Sequence, residues 1–211
     1  KNYFKDVRVV GNIGIPYTSM VTGSTDETVT VAEISSFQLE TIDTFKPHIS
    51  AILNITPDHL NRHHTMENYI QAKEDITKNQ TQDDFCILNY EDEVLRSFAA
   101  ECPAKVIFFS SKSELSEGFY LDGDSIMYAH DGARDEIINV NDLNLLGKHN
   151  FENVMAACAM SLSFGVPMDK IVEVLKVFKA VEHRIEYVTE KRGVKFYNDS
   201  KGTNPDAAIQ G

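Results

Sequence analysis

The densest set of side chains able to do chemistry is Asp58-His59-Leu60-Asn61-Arg62-His63-His64, directly after an apolar run. Residues at i and i+4 share a helical face, so His59, His63 and His64 with Asp58 have the types and spacing of metal ligands. A zinc hydrolase is one reading of that cluster, and a polar loop with solvated histidines is the other. Glu33 ends the run Val29-Thr30-Val31-Ala32, where a carboxylate is costly without a cation or hydrogen-bond donors. One carboxylate and one imidazole with few other ligands suit Mg²⁺ shared with phosphates better than zinc. Lys73 lies on the same helical stripe as Met66, Tyr69, Ile70 and Ile76. A lysine on an inner face must snorkel, pair or lose its charge. If neutral, its amine can react, for example with CO₂ to give a carbamate that binds metal.

Three later stretches carry weaker signals. Gly147-Lys148-His149-Asn150 opens a helix with Asn153 one turn on, and Asn150 is suited to the N-cap. A helix N-terminus attracts phosphate or offers donors to a base, although plain capping explains the same residues. His183-Arg184 begins a strand, where an Arg on the rim is commonly just solvated. Asn198-Asp199-Ser200-Lys201-Gly202-Thr203-Asn204-Pro205 mixes acid, base and hydroxyl more richly than a turn requires.

These residues need elements to position them. Val7–Val10, Val29–Ile34, Ile49–Ile55, Phe85–Asn89 and Val106–Ser110 read as short buried strands. Helical candidates lie between them at Pro16–Val21, Ser36–Phe45, Met66–Lys78 and Asp92–Glu101. The alternation predicts an α/β fold, a three-layer, mainly parallel sheet with helices on both faces. In such sheets ligands bind beyond the carboxyl ends of the strands, where Gly11-Asn12, Glu33 and Asp58-His59 fall. Tyr120–Asp124 and Ile126–Ala129 predict a hairpin turning at Asp122-Gly123-Asp124. Helices follow at about Asn150 to Phe164 and Asp169 to Phe178, then a small antiparallel hairpin from Ile185–Thr189 and Val194–Asn198.

Composition narrows the function classes. The chain has 211 residues and a formal net charge of −12, which disfavours nucleic acid and anionic membranes as the main partners. Cys86, Cys102 and Cys158 are isolated, which fits free buried thiols in a reducing compartment. No apolar stretch approaches the length of a membrane span, so a cytoplasmic location is expected. Oligomeric state is not legible in the sequence.

Taken together, these stretches resemble the Mur ligase superfamily across nearly the whole chain. Ala32-Glu33-Ile34-Ser35-Ser36-Phe37-Gln38-Leu39-Glu40 is similar to the signature of the branch that adds D-glutamate to UDP-N-acetylmuramoyl-L-alanine in peptidoglycan precursor synthesis. Thr56 to Lys73, Gly147-x-His149-Asn150, His183-Arg184 and Asn198-Asp199-Ser200-Lys201 are similar to further family motifs. The resemblance implies an ATP-dependent ligase working through an acyl phosphate. It implies that Glu33 binds one Mg²⁺ and that His59 with carbamylated Lys73 holds a second. Asn150, Asn153, Arg184 and Asp199 would contact ATP. Asn12, Ser35 and Gln38 would contact the muramoyl substrate, and Lys201 and Thr203 would lie on the D-glutamate side. Sister Mur ligases and folylpolyglutamate-type ligases are the alternatives within the family, and Ser35-Ser36-Phe37-Gln38 disfavours both.

Two departures stand out. Asn61 replaces an Asp found in many members. No G-x-x-x-x-G-K-[ST] loop occurs, and the family's P-loop is expected before Lys1. Residues 1–181 are therefore expected to be the central ATP-binding domain without its P-loop segment, and 182–211 the start of the C-terminal ligase domain. Such a fragment is expected to be inactive alone.

Overall fold

The computed structural model describes residues 2–179, 186–200 and 202. The chain divides into two compact units: Lys1–Leu88 with Asp92–Val106, and Asn89–Glu91 with Ile107–Gly211. Ten strands and six α-helices are described. The strands are β1 (Val7–Gly11), β2 (Val29–Glu33), β3 (Ile49–Ile52), β4 (Phe85–Asn89), β5 (Lys105–Ser110), β6 (Gly118–Asp122), β7 (Ser125–His130), β8 (Ala133–Asn139), β9 (Glu186–Lys191) and β10 (Val194–Asn198). The helices are α1 (Ser36–Leu39), α2 (Leu60–His63), α3 (Met66–Glu74), α4 (Glu93–Phe98), α5 (Lys148–Ser163) and α6 (Met168–Leu175). Strands β3 to β8 follow one another in sheet order as they do in sequence, while β1–β2 and β9–β10 are separate two-stranded sheets. The fold is thus mixed α/β with a small antiparallel hairpin, as expected.

In the first unit β1 and β2 pair in parallel, from Val7↔Val29 to Gly11↔Glu33. Strands β3 and β4 also pair in parallel, from Ile49↔Phe85 to Ile52↔Leu88. Ile52, Ile87, Leu88 and Leu95 form part of the core of this unit. The expected helix at Pro16–Val21 is only a 3-10 turn, Tyr17–Met20. The loop around it is held by Arg8 instead, whose guanidinium donates to the carbonyls of Met20 and, at 2.8 Å, Gly23. Helix α1 stops at Leu39 rather than reaching Phe45. Thr41, Ile42, Asp43 and Thr44 are weak helix formers, and Pro47 follows them.

One buried carboxylate anchors the approach to β3 and β4. Asp84 sits 2.9 Å from Lys46 Nζ and 3.1 Å from His48 Nδ1, and it accepts from Thr81 N at 2.8 Å. Burial pushes its pKa up, but the hydrogen bonds from Lys46, His48 and Thr81 outweigh burial and hold it well below the usual carboxylate range.

In the second unit β5 and β6 pair in parallel at Phe109↔Phe119, and β6–β7–β8 is an antiparallel run. The turn at Asp122-Gly123-Asp124 forms where expected. The third strand, β8, was not foreseen, because its first half, Ala133-Arg134-Asp135-Glu136, is exposed and charged and carries no apolar alternation. Helix α5 begins two residues earlier than expected. Its N-cap is Gly147 at φ 89, and Asn150 lies inside the first turn, where its side chain donates to Leu146 O at 2.6 Å. Phe119, Ile126, Met155 and Cys158 are fully buried here. All three cysteines are free and buried. Among the described residues no helix is long and apolar enough to cross a membrane.

Candidate functional site

The metal and substrate candidates Asn12, Glu33, Ser35, Gln38, His59 and Lys73 all fall in the first unit. At the carboxyl end of β1, Gly11 has φ +97, and a Cβ there would lie 2.2 Å from the Glu33 carbonyl oxygen. Only glycine tolerates both that backbone and that approach. The close contact aligns Asn12, which donates from its backbone N–H to Glu33 O at 2.7 Å and from Nδ2 to Glu33 Oε1 at 2.9 Å. The Glu33 carboxylate is therefore oriented at an exposed strand end, its Oε1 held by a neutral amide.

Ser35 and Gln38 close on one another. Gln38 N donates to Ser35 Oγ at 3.4 Å, and Gln38 Oε1 accepts from Ser35 N at 2.8 Å. This reciprocal capping box starts α1. It also puts both side chains at the helix entry just past β2.

The stretch after β3 carries the most strain. His59 has φ 54 and ψ 25, and His64 has φ 70 and ψ −41, so residues in the left-handed region flank the single turn α2. Such backbone costs about 1–3 kcal/mol per residue and concentrates at functional sites. His59 N donates to Asp58 Oδ1 at 2.8 Å, and Thr65 N closes a tight turn onto His63 O at 2.9 Å. The His59 ring is about half exposed and lies 4.9 Å from the Phe37 ring.

His63 is 4% exposed. Its Nε2 is 3.0 Å from Ser36 Oγ and its Nδ1 is 3.3 Å from Glu40 Oε1. Glu40 in turn accepts from Arg62 Nη2 at 2.7 Å. His64 is exposed. The three-histidine metal centre does not form: buried His63 bonds Ser36 through Nε2 and turns Nδ1 toward Glu40, and no group of three His, Cys, Asp or Glu among the described residues could hold a metal ion.

Lys73 is half-buried on α3, with Nζ 5.2 Å from the centroid of the Tyr69 ring. Burial lowers its pKa, while Asp58 and Asp92 act to raise it. Burial favours the neutral amine that carbamate formation needs, the two carboxylates oppose it, and a carbamate would turn Lys73 into an oxygen donor. Two carboxylate-type oxygen donors, from Glu33 and a carbamylated Lys73, with one imidazole from His59 would be a donor set of the kind Mg²⁺ takes.

Asp92 went unnoticed as a site residue in the sequence. Its Oδ1 caps α4, accepting from Val94 N at 3.0 Å, and its Oδ2 accepts from Ile55 N at 2.7 Å. It therefore fixes the start of the segment that leads to His59. Only its N-cap position before α4 signalled it. Glu40 and Ser36, as partners of His63, had no signal at all beyond lying in the α1 stretch.

In the second unit Asn150 and Asn153 lie one turn apart near the start of α5, with Asn153 exposed. Asp199 follows β10, and its backbone carbonyl accepts from Gly202 N at 2.9 Å. Arg184, Lys201 and Thr203 lie outside the described residues.

A family model described as the Mur ligase middle domain matches residues 7–161. The chain is 61% identical over 210 residues to the UDP-N-acetylmuramoylalanine--D-glutamate ligase of Lachnoclostridium phytofermentans, which covers 100% of this chain and 46% of that relative. The ligase of the same name from Lachnospira eligens is 59% identical over 209 residues, covering 99% of this chain and 46% of the relative. The chain thus spans about half the length of the curated relatives it matches. Among solved structures, the MurF ligase of Thermotoga maritima in complex with ADP has a TM-score of 0.67 at 16% identity, covering 99% of this chain and 56% of that one. At that identity the likeness is one of fold.

Proposed function

Since the chain belongs to the Mur ligase family through its middle domain, we propose that it works within a longer cytoplasmic ligase that joins D-glutamate to UDP-N-acetylmuramoyl-L-alanine at the expense of ATP. The observation that carries this reading is the identity of 61% and 59% along nearly the whole chain to two ligases of that name. Residues 1–181 are read as the central ATP-binding domain and 182–211 as the start of the C-terminal domain. Tyr187, Val188, Val194 and Phe196 of the β9–β10 hairpin are exposed apolar side chains, three of them on one face. A lone two-stranded hairpin is marginal in water, so this supports its belonging to a larger sheet.

In the proposed reaction the substrate carboxylate oxygen attacks the γ-phosphorus of ATP and ADP departs. The D-glutamate amine then attacks the acyl carbon, loses a proton, and expels phosphate. Two Mg²⁺ ions, when bound, supply neutralisation of phosphate charge that would repel the incoming carboxylate. Glu33, His59 and carbamylated Lys73 are the residues that would hold them. Asn12 keeps the Glu33 carboxylate in one orientation, and burial of Lys73 favours the neutral amine that CO₂ requires. Asn150, Asn153, Arg184 and Asp199 are read as ATP contacts. Asn12, Ser35 and Gln38 are read as muramoyl contacts, with Lys201 and Thr203 toward D-glutamate. Phosphate release by the longer ligase should require UDP-N-acetylmuramoyl-L-alanine and D-glutamate together. Equal release with another amino acid would assign the chain to a sister ligase.

A further inference from the structure

We propose that His63 is a positioning residue for this reaction, joining α1 to the turn that carries His59 through its hydrogen bond to Ser36 and its close contact with Glu40; the proposal rests on the functional reading above. The chain of contacts is continuous. His63 Nε2 hydrogen-bonds Ser36 Oγ at 3.0 Å, and its Nδ1 faces the Glu40 carboxylate with Oε1 3.3 Å away; a proton on Nδ1 toward that carboxylate leaves Nε2 to accept from Ser36. The ring stacks on Phe37 at 5.5 Å with an interplanar angle of 17°, and it lies 5.2 Å from Tyr69. The His63 carbonyl accepts from Asn68 Nδ2 on α3 at 2.9 Å.

Each neighbour of His63 leads to a residue expected in the site. Ser36 lies between Ser35 and Gln38, which close the capping box that starts α1. Phe37 packs against the His59 ring at 4.9 Å. The Tyr69 ring lies 5.2 Å from Lys73 Nζ. His63 is therefore the buried point at which the substrate-side helix, the His59 turn and the Lys73 helix meet.

The strained backbone makes this anchor necessary. α2 is one turn long and is bounded by His59 at φ 54 and His64 at φ 70. A turn this short cannot hold two left-handed residues by its own hydrogen bonds, and strain of this kind persists only when its surroundings over-determine it. His63 is the one residue of α2 that is buried. With its bonds removed, α2 is free to relax, and His59 turns with it. Ser36 and His63 are both buried, so the trio holds its neighbours in place and is not an acyl-transfer triad.

The test uses four variants of the longer ligase. His63→Phe keeps a ring but removes the Ser36 hydrogen bond and the Glu40 contact. His63→Gln restores an acceptor near Nε2 for Ser36, His63→Asn restores a donor near Nδ1 for Glu40, and Ser36→Ala breaks the chain from its other end with little change in volume. The readouts are kcat and KM for ATP, Mn²⁺ affinity by electron paramagnetic resonance, and the thermal midpoint. His63→Phe is expected to lower kcat and Mn²⁺ affinity by about 10–100-fold, the range seen when an outer partner of a metal ligand is removed. KM for ATP should stay unchanged. His63→Gln should recover most of the loss and His63→Asn less, while Ser36→Ala shows the same loss in weaker form. A lower thermal midpoint with wild-type kcat and Mn²⁺ affinity in both His63→Phe and Ser36→Ala would overturn the proposal. If the wild-type ligase releases no phosphate with D-glutamate, the functional reading falls, and the Mn²⁺ affinities still decide the role of His63.

Discussion

Replacing Gly11 by Ala should damage the site through Glu33, and Gly14 supplies an internal control. Both glycines have positive φ, +97 and +111, so either alanine carries backbone strain of about 1–3 kcal/mol. They differ in what the new methyl group meets. At Gly14 nothing lies within 4 Å of the added Cβ, whereas at Gly11 it would sit 2.2 Å from the Glu33 carbonyl oxygen. Ordinary C···O approach is about 3.3 Å, so β1 and β2 must part by roughly 1 Å at this point. That motion also pulls on the 2.7 Å bond from Asn12 N to Glu33 O and on the Asn12–Glu33 side-chain bond. A displacement of about 1 Å in a positioning element can cost on the order of 10²-fold in rate. In the longer ligase, Gly11→Ala should therefore lower kcat for phosphate release by roughly that factor and weaken Mn²⁺ binding. Gly14→Ala, which carries the backbone strain without the clash, should lower the thermal midpoint by less than Gly11→Ala and keep kcat within a few-fold of wild type. Equal kinetic losses in the two variants, or wild-type turnover in Gly11→Ala, would refute the view that the close β1–β2 approach aims Glu33.

Three further outcomes are expected. Lys73→Ala in the longer ligase should abolish turnover, with partial recovery in bicarbonate or a short carboxylic acid, and unchanged turnover would exclude a carbamate role. Asp84 has a depressed folded-state pKa, so its contribution is fully present above the unfolded value of about 4 and is lost as pH falls through the folded value; Asp84→Asn should cost about 1–3 kcal/mol in urea unfolding at pH 7, and the gap to wild type should close on acidification below about pH 4. The 211-residue chain by itself contains no Gly-Lys-Thr type loop, and without those phosphate-binding backbone donors it should show no substrate-dependent phosphate release in a coupled assay.

Much of this chain is legible in local pattern. The runs at β1 to β5 are short and rich in Val, Ile and Phe, and the ranges read from them fall within a few residues of the observed strands. The periodic helices α3, α5 and α6 were legible for the same reason, since their apolar spacing reflects burial on one side. Ends were less legible: α1 is short because weak helix formers follow Leu39, and α5 starts at Lys148 because Gly147 at positive φ, and not Asn150, makes its cap. Strand β8 was illegible, as the charged side chains of its first half hide a period that its ladder with β7 supplies. At the site, Glu33, His59 and Lys73 could be singled out because each breaks or interrupts an apolar pattern, which is a property of neighbouring residues in sequence.

The sequence by itself determined which residue types are available at the strand ends, the parallel α/β class, and the family, because these depend on order and spacing along the chain. The tertiary structure decided which of the histidines were free to act. In sequence His59, His63 and His64 are equivalent members of one cluster; in the fold His63 turns inward to Ser36 and Glu40, and His59 lies half exposed against Phe37. It likewise brought Asp92 toward Lys73 and set it to hold the Ile55 amide. Such assignments depend on side chains some twenty to forty positions apart coming within hydrogen-bond range, a distance that no local period records.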